Sequence, residues 1–185
     1  MSDEEQPVNA KHVFLKIAWR STISLSGPMD QATTWSLTGI AAILGLLISN
    51  LDSVSKLVTP DGLRWCLWLF TGSLVAGALS KQLGMAVVSG VEMLQKFEGL
   101  LQSPQGQELM NAIEAPASQL VNEMAQPFWW PLSALMRKGG ELGMRDYLSS
   151  DKRMVRLFCW QLLFVYAHGG LAAAGLLAVA THVQS

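Results

Sequence analysis

Apolar residues along this chain collect into long unbroken stretches. From Gln31 to Leu51, and again from Leu157 to the last residue, no Asp, Glu, Lys or Arg occurs, while Leu63 to Ser80 holds only Arg64. A bilayer core is ~30 Å thick and a helix rises ~1.5 Å per residue, so each stretch can cross it. The pattern predicts an all-α integral membrane protein with three transmembrane helices, at about 33–51, 63–80 and 155–179. An amphipathic N-terminal helix and a helical cytosolic segment between spans two and three complete the expected architecture. Four segments result: a cytosolic N-terminal part (1–30), a transmembrane hairpin (31–80), the cytosolic helical segment (81–154), and the third span with a short outer tail (155–185).

Periodicity fills in the parts between spans. His12, Lys16 and Arg20 recur every four residues with Lys11 beside them, while Ala10, Phe14, Ile17 and Ala18 occupy the opposite side of the helical wheel. Such a helix is expected to lie on an anionic membrane surface through Lys11, Lys16 and Arg20, or else to pack on other protein. Gly27-Pro28 is expected to interrupt it before span one. Thr59-Pro60-Asp61-Gly62 reads as a tight turn closing the hairpin, with Trp65 and Trp68 at headgroup depth. Past Lys81, the positions Leu83, Val87, Gly90, Leu94, Phe97 and Leu101 alternate spacings of four and three, a coiled-coil seam that carries span two beyond the bilayer. Ser103-Pro104 reads as a helix start, and 108–126 as an amphipathic helix kinked at Pro116. The aromatic wedge 127–131, Pro-Phe-Trp-Trp-Pro, suits a membrane interface or the core of a small helical lobe. Phe128, Trp129 and Trp130, together with Leu83, Val87, Leu94, Phe97 and Leu101, are the expected partner-docking residues.

Charge sets the expected orientation. Half of the residues are hydrophobic and 15% charged, with a formal net charge of −1, which argues against a nucleic-acid surface. The basic residues are uneven: Lys81, Lys96, Arg137, Lys138, Arg145, Lys152, Arg153 and Arg156 belong to or border the middle segment, whereas the first hairpin has Lys56 and Arg64. The positive-inside rule then puts the N-terminus and 81–154 in the cytoplasm and the hairpin and C-terminus outside, as in a bacterial inner membrane. A fourth span over 117–136 would bury Glu123, at roughly 2.5–3.5 kcal/mol for an ionised group, and export the basic cluster, so three spans are favoured. The polar first thirty residues do not predict a cleaved leader, and Met-Ser-Asp at the start and Val-Gln-Ser at the end carry no expected myristoylation or prenylation signal. Cys66 and Cys159 fall in opposite leaflets and are expected to be small buried apolar residues that do not pair.

Within the spans, small residues recur every fourth position: Ala41, Gly45 and Ser49; Gly72, Ala76, Ser80 and Gly84; Gly170, Ala174 and Ala178. Smooth faces of this kind let helices approach closely in lipid and predict a compact bundle, a homo-oligomer or a subunit of a membrane complex. Gln161 and His168, seven residues apart, share a face of span three. The favoured reading of His168 is a neutral imidazole bonding another helix, with Thr38, Thr71 and Ser73 as candidate partners; a proton or ion role is the alternative. HExxH, P-loop, GxSxG and CxxC patterns are absent, so no catalytic residue, cofactor, metal or small-molecule substrate is expected. The expected role is a small membrane interaction protein or scaffold whose 81–154 segment docks a partner. The alternative is an oligomeric channel lined by Thr38, Thr71, Ser73, Gln161 and His168.

Overall fold

The computed structural model describes residues 10–112, 116–145 and 148–183. Its elements are all helices: α1 (Ala10–Ile23), α2 (Ser26–Ser49), α3 (Leu51–Val54), α4 (Pro60–Gln102), α5 (Pro104–Ala112), α6 (Ala117–Ala125), α7 (Leu132–Arg145) and α8 (Ser149–Thr181). Among the described residues, three helical stretches are long and apolar enough to cross a membrane, within Lys11–Ser49, Pro60–Gln102 and Ser149–Thr181. α6, nine residues long, is too short to be a fourth. The chain forms two compact units. Among the described residues one, here the apolar unit, comprises 24–88 and 157–183; the other, the ionic unit, comprises 10–23 and those between 89 and 156.

The apolar unit is built around Ile40, Leu44, Cys66 and Phe70, with Leu47, Leu67, Leu74, Ala172 and Val179 packed against them. Gly175 makes room for the Phe70 ring: a Cβ there would lie 3.0 Å from its edge. Val58, Ala76, Val87 and Phe158 are buried as well, and the interior also holds the polar residues Ser26, Thr33, Ser73, Ser80, Gln161 and His168, while Trp35, Leu46, Ile48, Trp65, Trp68, Leu163 and Leu177 are exposed. So many exposed large apolar side chains around buried polar groups depart from the pattern of a water-soluble bundle. Hydroxyls on α2 follow the same logic. Thr33, Thr34, Thr38 and Ser49 each donate to the carbonyl four residues earlier, at 2.7–3.0 Å, so their polar groups are satisfied within the helix.

Two expected breaks are helix starts instead. The chain breaks at Ser24-Leu25, and Gly27-Pro28 sits in the first turn of α2. A first-turn N–H has no intrahelical acceptor, so Pro28 removes no bond there. Likewise Thr59-Pro60-Asp61-Gly62 opens α4 rather than forming a free turn: Thr59 Oγ1 accepts the Gly62 N–H at 3.3 Å, and the Thr59 carbonyl accepts from Leu63 at 3.0 Å. This cap meets the end of α8. The Thr59 N–H donates to the His182 carbonyl at 3.0 Å, Val58 bridges Val183, and Gly62 lies so close to the His182 side chain that a Cβ would collide with it.

In the ionic unit, Ser103 caps α5 as the Ser-Pro pair predicts, its Oγ accepting from Gly106 at 3.0 Å. The amphipathic stretch expected over 108–126 is divided: α5 ends at Ala112 and Pro116, in an extended conformation, is the N-cap of α6, while Ile113 lies outside the described residues. Proline lacks the N–H to continue a helix, so Pro116 starts one instead of kinking it. α6 and α7 pack closely at Gly140, where a Cβ would lie 2.5 Å from Val121 Cγ1.

α1 is anchored in this unit through its charges. Arg20 donates bidentately to Glu98 on α4, at 2.7 and 2.9 Å, and through Nε to Asp151 on α8 at 3.1 Å; Lys16 Nζ lies 2.7 Å from the same Glu98. The side of α1 expected to face lipid through Lys16 and Arg20 therefore turns onto protein acids, and Phe14 and Ile17 are left outside, 71% and 61% exposed. Periodicity located both faces of α1, but the acids that choose between them come from positions 78 and 131 residues away from Arg20.

The cluster has a pH consequence. The bond from Arg20 holds the Glu98 carboxyl below its ordinary range, with Lys16 adding to it against the opposing effect of burial. A depressed acid contributes stability above its unfolded value, ~4.3 for glutamate, and loses it as pH falls through the folded value. Protease protection of α1 in the detergent-solubilised protein is expected to be unchanged from pH 7 to about 5 and to be lost only below about 4. Loss of protection near pH 6 would contradict this.

Candidate functional site

The apolar unit carries two buried hydrogen-bond centres one above the other on α8, at Gln161 and His168. His168 Nδ1 lies 2.8 Å from the Ser73 carbonyl oxygen and 2.8 Å from Ser73 Oγ, and Ser73 Oγ donates back to the His168 carbonyl at 2.8 Å. A carbonyl can only accept, so Nδ1 is assigned the proton. In the neutral ring Nε2 is then the acceptor for the Ser36 hydroxyl, 2.8 Å away. One imidazole thus ties α2, α4 and α8. Gly77 permits this approach: a Cβ there would lie 3.0 Å from Nδ1 and 2.7 Å from a Leu37 methyl.

Gln161 does the same one level away. Its Oε1 accepts from Ser26 Oγ at 2.6 Å, its Nε2 donates to the Ser26 carbonyl at 3.3 Å, and Ser80 Oγ donates to the Gln161 carbonyl at 3.4 Å. Gly84 backs the amide; a Cβ would lie 2.7 Å from Nε2 and 3.3 Å from Asp30 Oδ1. That Asp30 oxygen is enclosed without a hydrogen-bond partner. Lys81 is close by in the chain fold, donating to Thr34 Oγ1 at 2.8 Å, and Thr34 donates to the Asp30 carbonyl.

A serine and a histidine at 2.8 Å invite comparison with a nucleophile and its base. The geometry serves bonding instead: Ser73 is wholly buried, its hydroxyl proton points to a carbonyl, and the facing ring nitrogen is a donor. Among the described residues no three His, Cys, Asp or Glu side chains gather as a metal site.

The predicted residues are distributed unevenly. Ser73, Gln161 and His168 are buried together, whereas Thr38 and Thr71 are exposed, and Thr38 uses its hydroxyl on its own helix. Ser36, Ser26 and Gly77 complete the two centres and were not singled out by the sequence, because nothing in a local pattern says which serine faces a distant imidazole. Of the small-residue faces, Ala76, Ser80 and Gly84 are buried and Gly72, Ala174 and Ala178 half-buried, while Ala41, Gly45, Ser49 and Gly170 are exposed. A Cβ at Gly45 or Gly170 would meet nothing within 4 Å. Cys66 is buried but Cys159 is exposed, against expectation, since it lies on an outer face of α8.

On the seam, Val87 is buried, Leu83, Leu94 and Leu101 are half-buried, and Phe97 is exposed. Gly90 is filled by the chain itself, with Met154 Sδ 2.7 Å from where a Cβ would stand. In the wedge, Phe128, Trp129 and Trp130 are all exposed, the last at 77%, so they do not form the core of a lobe. Neither family models, nor curated proteins, nor solved structures match this chain.

Proposed function

We propose that this chain is a small integral membrane interaction protein, a self-associating subunit or scaffold without enzymatic activity, whose 81–154 segment docks a partner. One observation carries the reading. The His168 and Gln161 side chains are engaged inside one copy, while the small-residue face of Ala41, Gly45 and Ser49 is exposed and a Cβ at Gly45 would meet nothing within 4 Å. In lipid a smooth unoccupied face favours close helix association, whereas an engaged imidazole and amide have little capacity left for a conducting path. The exposed Phe97, Trp129 and Trp130 offer the ionic unit apolar anchors for a partner.

The proposed orientation has the N-terminus and 81–154 in the cytoplasm and the hairpin and C-terminus outside, in a bacterial inner membrane. Pairing of Val58 with Val183 supports it, as two chain segments on one side of a bilayer can pair. Joining of α1 to 89–156 in one unit supports it in the same way. Native mass analysis of the gently solubilised protein is expected to find more than one copy or a bound partner chain. Gly45→Leu is expected to weaken self-association by about tenfold, ~1.4 kcal/mol, without moving the thermal midpoint of the isolated chain. A strictly monomeric wild type with no co-purifying polypeptide would refute the proposal.

A further inference from the structure

We infer that the start of α8 and the facing part of α7 form a binding site for the phosphate headgroup of an anionic phospholipid. Within the ionic unit, Gly139 and Leu142 of α7 and Ser149, Ser150, Arg153 and Arg156 of α8 enclose a cavity of about 360 Å³. Lys152 adds a further cation to its rim. Arg153 reaches across to α7: a Cβ at Gly139 would lie 3.3 Å from its Nη1. Among the described residues neither Arg153 nor Arg156 is paired with an acid, in contrast to Arg20, which holds two. Arg153 and Arg156 are exposed, and Ser149 and Ser150, half-buried, line the same cavity.

The chemistry selects a phosphate. Two guanidinium forks match the paired oxygens of a phosphodiester, and the hydroxyls of Ser149 and Ser150 supply further donors. The one acid in the first turn of α8 does not oppose an anion, because Asp151 is turned away and bonded to Arg20. Depth selects a lipid. Arg156 is the last charged residue before the apolar run from Leu157 to Thr181, which at ~1.5 Å per residue is long enough to cross a ~30 Å core. On the membrane reading proposed above, on which this inference rests, the cavity stands at headgroup level. Basic pockets at such positions hold anionic headgroups. Lys16 and Arg20, the residues whose periodicity suggested a membrane contact, are engaged with Glu98 and Asp151 instead.

The test uses the full chain purified in a neutral detergent and titrated, under native mass spectrometry, with phosphatidylglycerol, with phosphatidylcholine of the same acyl chains, and with inorganic phosphate. Phosphatidylglycerol is expected to bind about 25-fold more tightly than phosphatidylcholine, a factor of about five for each guanidinium. Arg153→Gln/Arg156→Gln is expected to abolish the preference, and Arg153→Lys/Arg156→Lys to keep part of it. Equal retention of both lipids by the wild type, or an unchanged preference in the double glutamine variant, would overturn the site. Displacement of the lipid by millimolar inorganic phosphate would overturn the lipid assignment in favour of a soluble anion. If the double variant has a lowered thermal midpoint, the single glutamine variants are read in its place, each expected to lose about fivefold. Washing membranes at alkaline pH separates the two levels of the argument: release of the wild type refutes the membrane reading, whereas retention without lipid preference refutes the headgroup site alone.

Discussion

Arg20→Met is expected to detach α1 from the rest of the ionic unit and to lower that unit's stability by about 3 kcal/mol, the lower end of the range for removing one partner of a buried ion pair. Asp151, 5% exposed, would be left as an enclosed carboxylate without its cation, and Glu98 would lose its bidentate partner. Glu98 is a third exposed and keeps Lys16, so water and the lysine offset part of the loss, which is why the lower figure applies. Arg20→Lys should recover only part of the stability, because an ammonium cannot hold two carboxylates in the fork geometry of a guanidinium. Hydrogen exchange of residues 10–23 and the thermal midpoint in detergent both report on this. Unchanged exchange and midpoint in Arg20→Met would show that α1 is held by something other than these ions.

Gly84→Leu should be as damaging to the apolar unit, and for a steric reason. Even the first carbon would stand 2.7 Å from Gln161 Nε2 and 3.3 Å from Asp30 Oδ1. Gln161 cannot retreat without breaking its bonds to Ser26, and overpacking of this kind costs about 1–3 kcal/mol before any bond is lost. A buried amide left without partners raises the cost further. The midpoint in detergent is expected to fall by several degrees, while Gly45→Leu leaves it unchanged, since nothing lies within 4 Å of that position. If both variants unfolded alike, the distinction between a filled and an open small-residue face would be wrong. The same comparison separates fold from association.

Much of the architecture is legible in the linear pattern. The uncharged runs starting at Gln31 and Leu157 and the nearly uncharged 63–80 lie largely within the three helical stretches long and apolar enough to cross a membrane, which end at Ser49, Gln102 and Thr181. Ser103-Pro104 yields a capped start. Local signals placed an interruption at Gly27-Pro28, a turn at Thr59–Gly62 and a kink at Pro116 where the structure has helix starts. Pro28, Pro60 and Pro116 stand at or beside helix starts, because their missing N–H costs nothing there. The interior was legible only by residue type. A histidine and a glutamine inside an apolar run must find partners, yet Thr38, a reasonable partner by position, bonds Thr34 of its own helix, and Ser36 takes its place.

Hydropathy by itself determined that there are three long apolar helices and where polar groups would have to be satisfied, since both follow from the cost of taking charges and amides out of water, residue by residue. Rotation of each helix about its axis was decided only in three dimensions. Which side of α1 meets protein depends on Glu98 and Asp151, distant in the chain, and which glycines are filled depends on a methionine, a glutamine or a phenylalanine arriving from another helix. A small residue is compatible with close approach on any side. Only the partner that fills the space distinguishes a packed face from an open one.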